Sequence, residues 1–169
     1  MQFKVANVKV SIKIKALSLD IVQKRISDKD LFSKLHNNYL VVKSEYTFII
    51  FKPNKSFSET HINITKIPNI DSVSLAVQEI ENILDSKHFA IQIDNIIASS
   101  RFNKNLDLIK IVKTKVFDKI KYNNQKFPGL FIKFNQGTAI IFHSGKVVIV
   151  GCKNIEDIEW ITKTLAANI

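Results

Sequence analysis

The stretch from Phe127 to Gly151 constrains the fold more than any other part of this sequence. It contains all four glycines of the chain and three short runs of β-branched and aromatic residues, separated by turn signals that contain glycine. Short apolar runs between such signals predict an antiparallel meander of three strands. Because two-residue turns need a residue with positive φ, we expect Gly137 and Gly145 to occupy the turns and to fix the register.

The N-terminal segment from Phe3 to Lys15 alternates with a period of two residues. This pattern predicts a strand with one face on a core and the other face exposed. The predicted core set is Lys4, Ala6, Val8, Val10, Ile12 and Ile14. The predicted exposed set is Phe3, Val5, Asn7, Lys9, Ser11, Lys13 and Lys15. Its amide, hydroxyl and ammonium groups are typical either of a solvated surface or of a surface that contacts phosphates.

The rest of the first half predicts helices, then three strands and a long helix. Ser18 is a candidate N-cap of a helix that ends at Ile26, and a second short helix is predicted from Ser27 to Leu35. Further strands are predicted over 39–42, 46–51 and 61–65, with Pro53-Asn54 ending the second of them. The predicted long helix is amphipathic and covers 70–86.

The second half repeats this order. A strand is predicted over 89–100, the apolar pattern of 106–121 fits a strand or a helix, and the meander and a helix over 155–167 follow. A single half would leave one sheet face and the apolar helix stripes uncovered. We therefore predict two repeats, residues 1–87 and 88–169, in one α+β domain with a continuous antiparallel sheet.

Charge indicates a polyanionic partner. The chain carries 25 Lys and Arg against 15 Asp and Glu, a net charge of +10. Nucleic acid is the first expectation, ahead of an anionic membrane surface or an acidic protein. No apolar run reaches the about 20 residues that span a bilayer, and no signal-peptide pattern follows Met1. We therefore expect no membrane association and a nuclear or cytoplasmic location.

Signals of catalysis and of metal binding are weak in the sequence. The histidines at 36, 61, 88 and 143 lack metal-ligand spacing, and no glycine-rich phosphate loop precedes a helix. The single Cys152 excludes an internal disulfide framework and a cysteine-rich zinc site, and it is typical of a small buried hydrophobic residue. His143 beside Ser144 is the one tempting pair, and it lies in a predicted hairpin turn. We predict a protein that is not an enzyme and uses no cofactor or metal.

Several motifs resemble one known family. Phe-Pro-Gly-Leu at 127–130, Ile-Phe-His-Ser-Gly-Lys at 141–146 and Val-Val-Ile-Val-Gly-Cys-Lys at 147–153 resemble the second repeat of the TATA-box-binding protein core domain. Ile93 to Ser99 is similar to the first strand of that repeat, and Ala6 to Ser11 to its counterpart in the first repeat. The resemblance is strong after Phe89 and weaker before it. It implies a saddle of about ten antiparallel strands with helices on the convex face.

The resemblance also implies that the concave face binds the DNA minor groove and that aromatic pairs wedge between base steps. Phe127 and Phe142 match the pair of the second repeat. In the first repeat Phe51 matches the second ring, but Asn37 stands where the first is expected, with Leu35 or Tyr39 as the nearest substitutes. We take Leu35 as the partner of Phe51 and expect the two ends of the saddle to bind DNA unequally, with the stronger kink at the Phe127 and Phe142 end.

Other family positions define the expected groove floor. Asn7 and Asn95 match its central pair, whose amides suit the acceptors of A·T pairs. Lys9 and Asn63 replace apolar residues, which implies a more cationic first half and a relaxed TATA preference. The remaining expected groove contacts are Ser11, Thr65, Ile97, Ser99, Val148 and Val150. The expected phosphate contacts are Lys13, Lys15, Arg101, Lys133 and Lys146.

Function and partners follow from the same resemblance. We expect a general transcription initiation factor that bends A·T-rich promoter DNA and binds factors similar to transcription factors IIA and IIB or the polymerase machinery. The family's acidic stirrup is replaced by Asn123, Asn124, Gln125 and Lys126, which puts the factor IIB contact in doubt. The alternatives are a protein-interaction hub or decoy with weak DNA binding, and a saddle-like domain of the kind attached to nucleases and glycosylases. A homodimer through the concave face, and an archaeal cytoplasm or a viral factory as location, also stay open.

Overall fold

The computed structural model describes residues 1–53 and 58–169. The described elements follow one order twice: a strand, a helix, four strands and a helix. The first copy contains β1 (Phe3–Lys15), α1 (Leu19–Ser27), β2 (Phe32–Leu35), β3 (Tyr39–Lys43), β4 (Thr47–Phe51), β5 (Glu59–Ile67) and α2 (Val73–Leu84). The second contains β6 (His88–Arg101), α3 (Leu108–Thr114), β7 (Ile120–Lys121), β8 (Leu130–Lys133), β9 (Thr138–Ile141), β10 (Lys146–Cys152) and α4 (Ile155–Asn168).

The chain forms two compact units. The first unit consists of residues 7–94, and the second unit of residues 1–6 and 95–169. The boundaries between the units fall inside β1 and inside β6. The predicted strand end at Pro53-Asn54 lies partly outside the described residues, and β4 ends before it at Phe51.

In the first unit the strands are ordered β2-β3-β4-β5-β1 and all pair antiparallel. The alternation predicted for β1 is confirmed from Val8 to Ile14, because every second residue there is buried. Lys4 and Ala6, which were assigned to the same core set, are exposed. The helices α1 and α2 bury Val22, Ile26 and Ile80 against the buried side of these strands.

In the second unit the order is β6-β10-β9-β8-β7, again antiparallel. Its core consists of apolar side chains that alternate along each strand, together with Ile158, Ile161 and Leu165 of α4. The segment 106–121 proves to contain both a helix and a strand. Asp107 caps α3 by accepting a hydrogen bond from the amide of Lys110 at 3.0 Å, and β7 pairs with β8.

The predicted second helix of the first half is wrong. Asp30 has a φ of 53°, which ends the turn after α1, and Phe32 to Leu35 form β2 beside β3. The spacing of Leu31, Phe32 and Leu35 fits a helix as well as a strand. Pairing with β3, which the local sequence does not encode, decides between the two. With β2 in place the two halves have the same element order.

The two turn glycines play different roles. Gly145 has a φ of 79°, as predicted. Gly137 does not have a positive φ, contrary to the prediction. It is required by close packing instead, because a Cβ atom there would lie 2.7 Å from the Sγ of Cys152 and 2.9 Å from the carbonyl oxygen of Val150. No helix among the described residues is long and apolar enough to cross a membrane.

Candidate nucleic-acid interface

Each unit presents one sheet face whose side chains alternate with the buried core residues. We call this the open face of that unit. In the first unit it carries Asn7, Lys9 and Ser11 of β1, and Ser11 lies opposite Asn63 of β5. In the second unit it carries Asn95, Ile97 and Ser99 of β6, and Ser99 lies opposite Val148 of β10. The ten predicted groove contacts, which also include Thr65 and Val150, all lie on these faces and are partly exposed.

The amide of Asn95 is oriented by the backbone of β10. Its Oδ1 accepts a hydrogen bond from the amide of Gly151 at 2.7 Å. This hydrogen bond fixes the orientation of the amide, and the NH₂ group keeps both of its donors for a ligand. A donor at this position suits the minor-groove edge of an A·T pair, which offers only acceptors.

The second unit has a cationic corner at the ends of β6 and β10. Arg101 lies directly opposite Lys146, and both side chains are exposed. Among the described residues neither forms an ion pair within 4 Å. Like charges directly opposite each other on adjacent strands are destabilising. A bound anion such as a phosphate would relieve this repulsion.

The equivalent corner of the first unit is neutralised. Lys13 lies opposite His61, and Glu59 contacts the Nζ of Lys13 and the Nε2 of His61, both at 2.8 Å. The hydrogen bond from Lys13 lowers the pKa of the Glu59 carboxyl; burial raises it, and the His61 contact lowers it further. Lys9 pairs with Asp94 at 3.4 Å. Two carboxylates thus offset the more cationic first half that the sequence predicted.

Three aromatic rings cluster at the end of the second unit's open face. The ring of Phe127 lies 5.9 Å from that of Phe142 and 5.2 Å from that of Phe131. Phe127 is 40% exposed, so the cluster is not sealed inside the core. Gly129 makes room for it, because a Cβ atom at Gly129 would lie 2.6 Å from the Phe127 ring.

The first unit builds a comparable cluster from different positions. Tyr39 lies opposite Phe51 with 6.0 Å between the ring centroids, and His36 stacks on Tyr39 at 4.5 Å. Leu35 lies opposite the buried Leu40, and directly paired residues project to the same side of a sheet. Leu35 is therefore on the helix side, away from Phe51, and Tyr39 replaces it as the candidate wedge.

The two clusters carry one of their rings at positions that differ by two residues. Counting from Leu40 and Leu130, Tyr39 stands at the position of Gly129, and Asn37 at the position of Phe127. Where Phe127 folds over a glycine, the first unit has the ring two residues further along, at Tyr39, and a short polar side chain at Asn37. The ring spacing to the strand-end phenylalanine is nearly the same, at 6.0 Å and 5.9 Å.

The other predicted phosphate contacts are accessible, and one further cation joins them. Lys15 and Lys133 are exposed, and Lys133 lies opposite Thr138. Lys43 of β3, which the sequence analysis missed, is exposed and lies opposite Thr47. The signal was present in the sequence, because Lys43 follows Leu40 at the spacing at which Lys133 follows Leu130.

The remaining reactive side chains have structural roles. The ring Nδ1 of His143 lies 2.8 Å from the carbonyl oxygen of Leu106, to which it donates. Burial raises the pKa of the Cys152 thiol to about 11, so this group is not an activated nucleophile. Within residues 1–53 and 58–169 no group of three or more His, Cys, Asp or Glu side chains could hold a metal ion. Residues 123–126, at the stirrup position, are exposed.

Comparison with known proteins agrees with this geometry. The model of the family described as "Transcription factor TFIID (or TATA-binding protein, TBP)" matches residues 90–169. Just under half of the chain is therefore similar in sequence to the TATA-box-binding protein family. The family's fold extends over the whole chain: the TATA-box-binding protein of Methanococcus jannaschii superposes with a TM-score of 0.81, covering 99% of this chain and 98% of that one at 23% identity. The predicted saddle fold of the α+β class is therefore confirmed.

Curated TATA-box-binding proteins of archaea are similar over the second half. The protein of Methanothrix thermoacetophila is 37% identical over 81 residues, which is 47% of this chain and 43% of that protein. The protein of Methanosphaera stadtmanae is 42% identical over 69 residues, which is 40% of this chain and 37% of that protein. The matched segment thus spans less than half of these TATA-box-binding proteins, and the first half of the chain has diverged further in sequence than in fold.

Proposed function

We propose that this chain is a transcription initiation factor that binds duplex DNA in the minor groove through its open faces and bends it. The observation that carries the proposal is the pair of the exposed Phe127 and the partly exposed Phe142, set 5.9 Å apart at the end of an open face. Partly exposed aromatic rings leave apolar surface in water unless a partner covers them. Base steps provide that partner, because apolar wedges inserted between them unstack and kink the duplex.

The charges around the wedges support a nucleic acid rather than an apolar protein partner. The unpaired corner of Arg101 and Lys146 lies on the same open face of the second unit as Val148. Cations at the edge and small apolar or amide side chains in the middle match a minor groove, whose floor offers acceptors and whose walls are phosphates. The net charge of +10 favours the same class of partner.

A bending assay over a salt series tests this function. A duplex of TATA type with a fluorophore at each end should show increased energy transfer on binding, and log Kd should rise linearly with log salt concentration. Each phosphate contact contributes about 0.9 to that slope. Four to six contacts would therefore give a slope of about 4–5. Binding without bending, or no dependence on salt, would contradict the proposal.

The same assay distinguishes a DNA-bending factor from the alternative, a protein-interaction hub or decoy with weak DNA binding. Glu59 and Asp94 on the open face of the first unit favour this alternative, since carboxylates repel phosphates. A hub would bind protein factors similar to transcription factors IIA and IIB while showing little affinity for DNA. A dimer that covers the open faces would appear in sedimentation of the free protein and disappear when DNA is added.

Replacing Glu59 with Gln is expected to strengthen DNA binding. The change releases Lys13 and His61 from the carboxylate they share at 2.8 Å, so that Lys13 can contact a phosphate. Affinity should rise several-fold at low salt, and the salt slope should steepen by about 1. Titrations of both proteins at several salt concentrations measure this. Glu156→Gln, an exposed carboxylate on α4, is the matched control; equal gains in both variants would show a general charge effect.

A further inference from the structure

Asp94 is an acidic side chain on the surface proposed to face DNA. Its Oδ1 accepts a hydrogen bond from the Oγ of Ser11 at 3.0 Å, and its Oδ2 lies 3.4 Å from the Nζ of Lys9. Ser11 and Lys9 alternate along β1 with Val8, Val10 and Ile12, which are at most 1% exposed, so both lie on the open face of the first unit. The Asp94 side chain is 23% exposed and within reach of a ligand.

A carboxylate at this position contradicts the simple picture of a floor for A·T pairs. It has no hydrogen to donate to the N3 and O2 acceptors of the groove. The guanine N2 amine is the one donor that a base pair presents there, and it distinguishes G·C from A·T. A floor of apolar and amide groups rejects this amine, whereas a carboxylate accepts a hydrogen bond from it.

The surroundings of Asp94 leave it able to do so. A carboxylate offers about four acceptor sites. The structure shows three donors near Asp94: Ser11, Lys9 and the Nε2 of Gln92 at 3.4 Å. Lys9 also offsets the repulsion between the carboxylate and DNA phosphates. Counting from the two central asparagines, the second unit has Ala6 and Ile97 at the positions of Asp94 and Lys9, so it lacks this pair.

We propose that Asp94 makes the first unit accept guanine in the minor groove, so that the DNA bound by this chain contains a G·C pair facing that unit while the second unit reads A·T pairs. This inference rests on the proposed function and specifies the DNA sequences that the chain binds. Asp94 is then a specificity-determining residue, with Lys9 and Ser11 holding its carboxylate in place.

Inosine provides the test, because an I·C pair is a G·C pair without the N2 amine in the minor groove. Duplexes of A·T-rich sequence receive one G·C or one I·C pair at each position in turn, and Kd is measured for the wild-type chain and Asp94→Ala. At the position that faces Asp94, the wild-type chain should bind guanine at least as tightly as inosine. Asp94→Ala should prefer inosine by about tenfold.

Control experiments distinguish recognition of guanine by Asp94 from a general effect of charge and from loss of folding. Asp71→Ala removes an exposed carboxylate of the first unit and should leave the ratio of guanine to inosine affinity unchanged. Thermal melting checks that each variant is folded. The inference is overturned if the wild-type chain rejects guanine at every position, or if Asp94→Ala leaves the ratio unchanged. A wild-type chain that binds no inosine duplex would overturn the proposed function, and this inference with it.

Discussion

Replacing Phe127 and Phe142 together with Ala is expected to remove most of the DNA bending and to weaken binding by roughly 30-fold or more, since each stacked aromatic ring contributes about 1–3 kcal/mol. The rings lie 5.9 Å apart, and Phe127 is 40% exposed, so this pair is accessible from solvent without rearrangement of the core. Energy transfer across an end-labelled duplex measures the bend, and titration measures the affinity. Full bending by the double variant would exclude these rings as wedges.

Variants at the cluster of Tyr39 and Phe51 test whether the first unit also inserts a side chain between base steps. Tyr39→Ala should reduce bending, because its ring faces Phe51 at 6.0 Å, whereas Leu35→Ala should not, because Leu35 lies on the helix side. Ile109→Ala, which removes a 54% exposed side chain from α3, is the control for loss of apolar surface in the second unit. If Leu35→Ala and Tyr39→Ala behaved in the opposite way, the assignment of Tyr39 would be wrong.

The second large effect concerns stability and depends on Glu81. This side chain is 7% exposed on α2. Its carboxylate accepts from the backbone amide of His88 at 2.9 Å, lies 2.7 Å from the His88 Nδ1, and pairs with Lys87 at 2.9 Å. Burial by itself would raise the pKa, but the contacts from His88 and Lys87 outweigh it and lower the Glu81 pKa to about 2. The network ties the end of α2 to the start of β6.

Because the Glu81 pKa is lower in the folded chain than in the unfolded chain, its contribution is complete above the unfolded value of 4.5 and is lost as the pH falls toward 2. We expect Glu81→Gln to lower the free energy of unfolding at pH 7 by roughly 1–2 kcal/mol, allowing for screening of the exposed Lys87. The variant should also lose part of the pH dependence between pH 5 and 2. Urea unfolding across this range measures both effects. An unchanged pH dependence would show that Glu81 does not supply it.

Much of this fold follows from local sequence patterns. The period of two from Val8 to Ile14 predicted strand β1, and Gly145 predicted a turn. Both succeed because alternation along a strand and positive φ in a turn are properties of a few neighbouring residues. The repeated order of elements predicted a duplicated α+β fold. The motifs after Phe89 predicted a resemblance to the TATA-box-binding protein family, and the comparisons confirm it over residues 90–169.

Other features were decided only when the strands paired. Leu31 to Leu35 has an apolar spacing that fits a helix, but β3 makes it a strand, and the resulting register turns Leu35 away from the face that Tyr39 occupies. The pairing of Lys13 with Glu59 and of Lys9 with Asp94 joins residues far apart in the chain. The sequence by itself determined which residue types each strand carries. The tertiary structure decided which charges cancel and which rings lie on the open faces, because these depend on strand register and on contacts between distant segments.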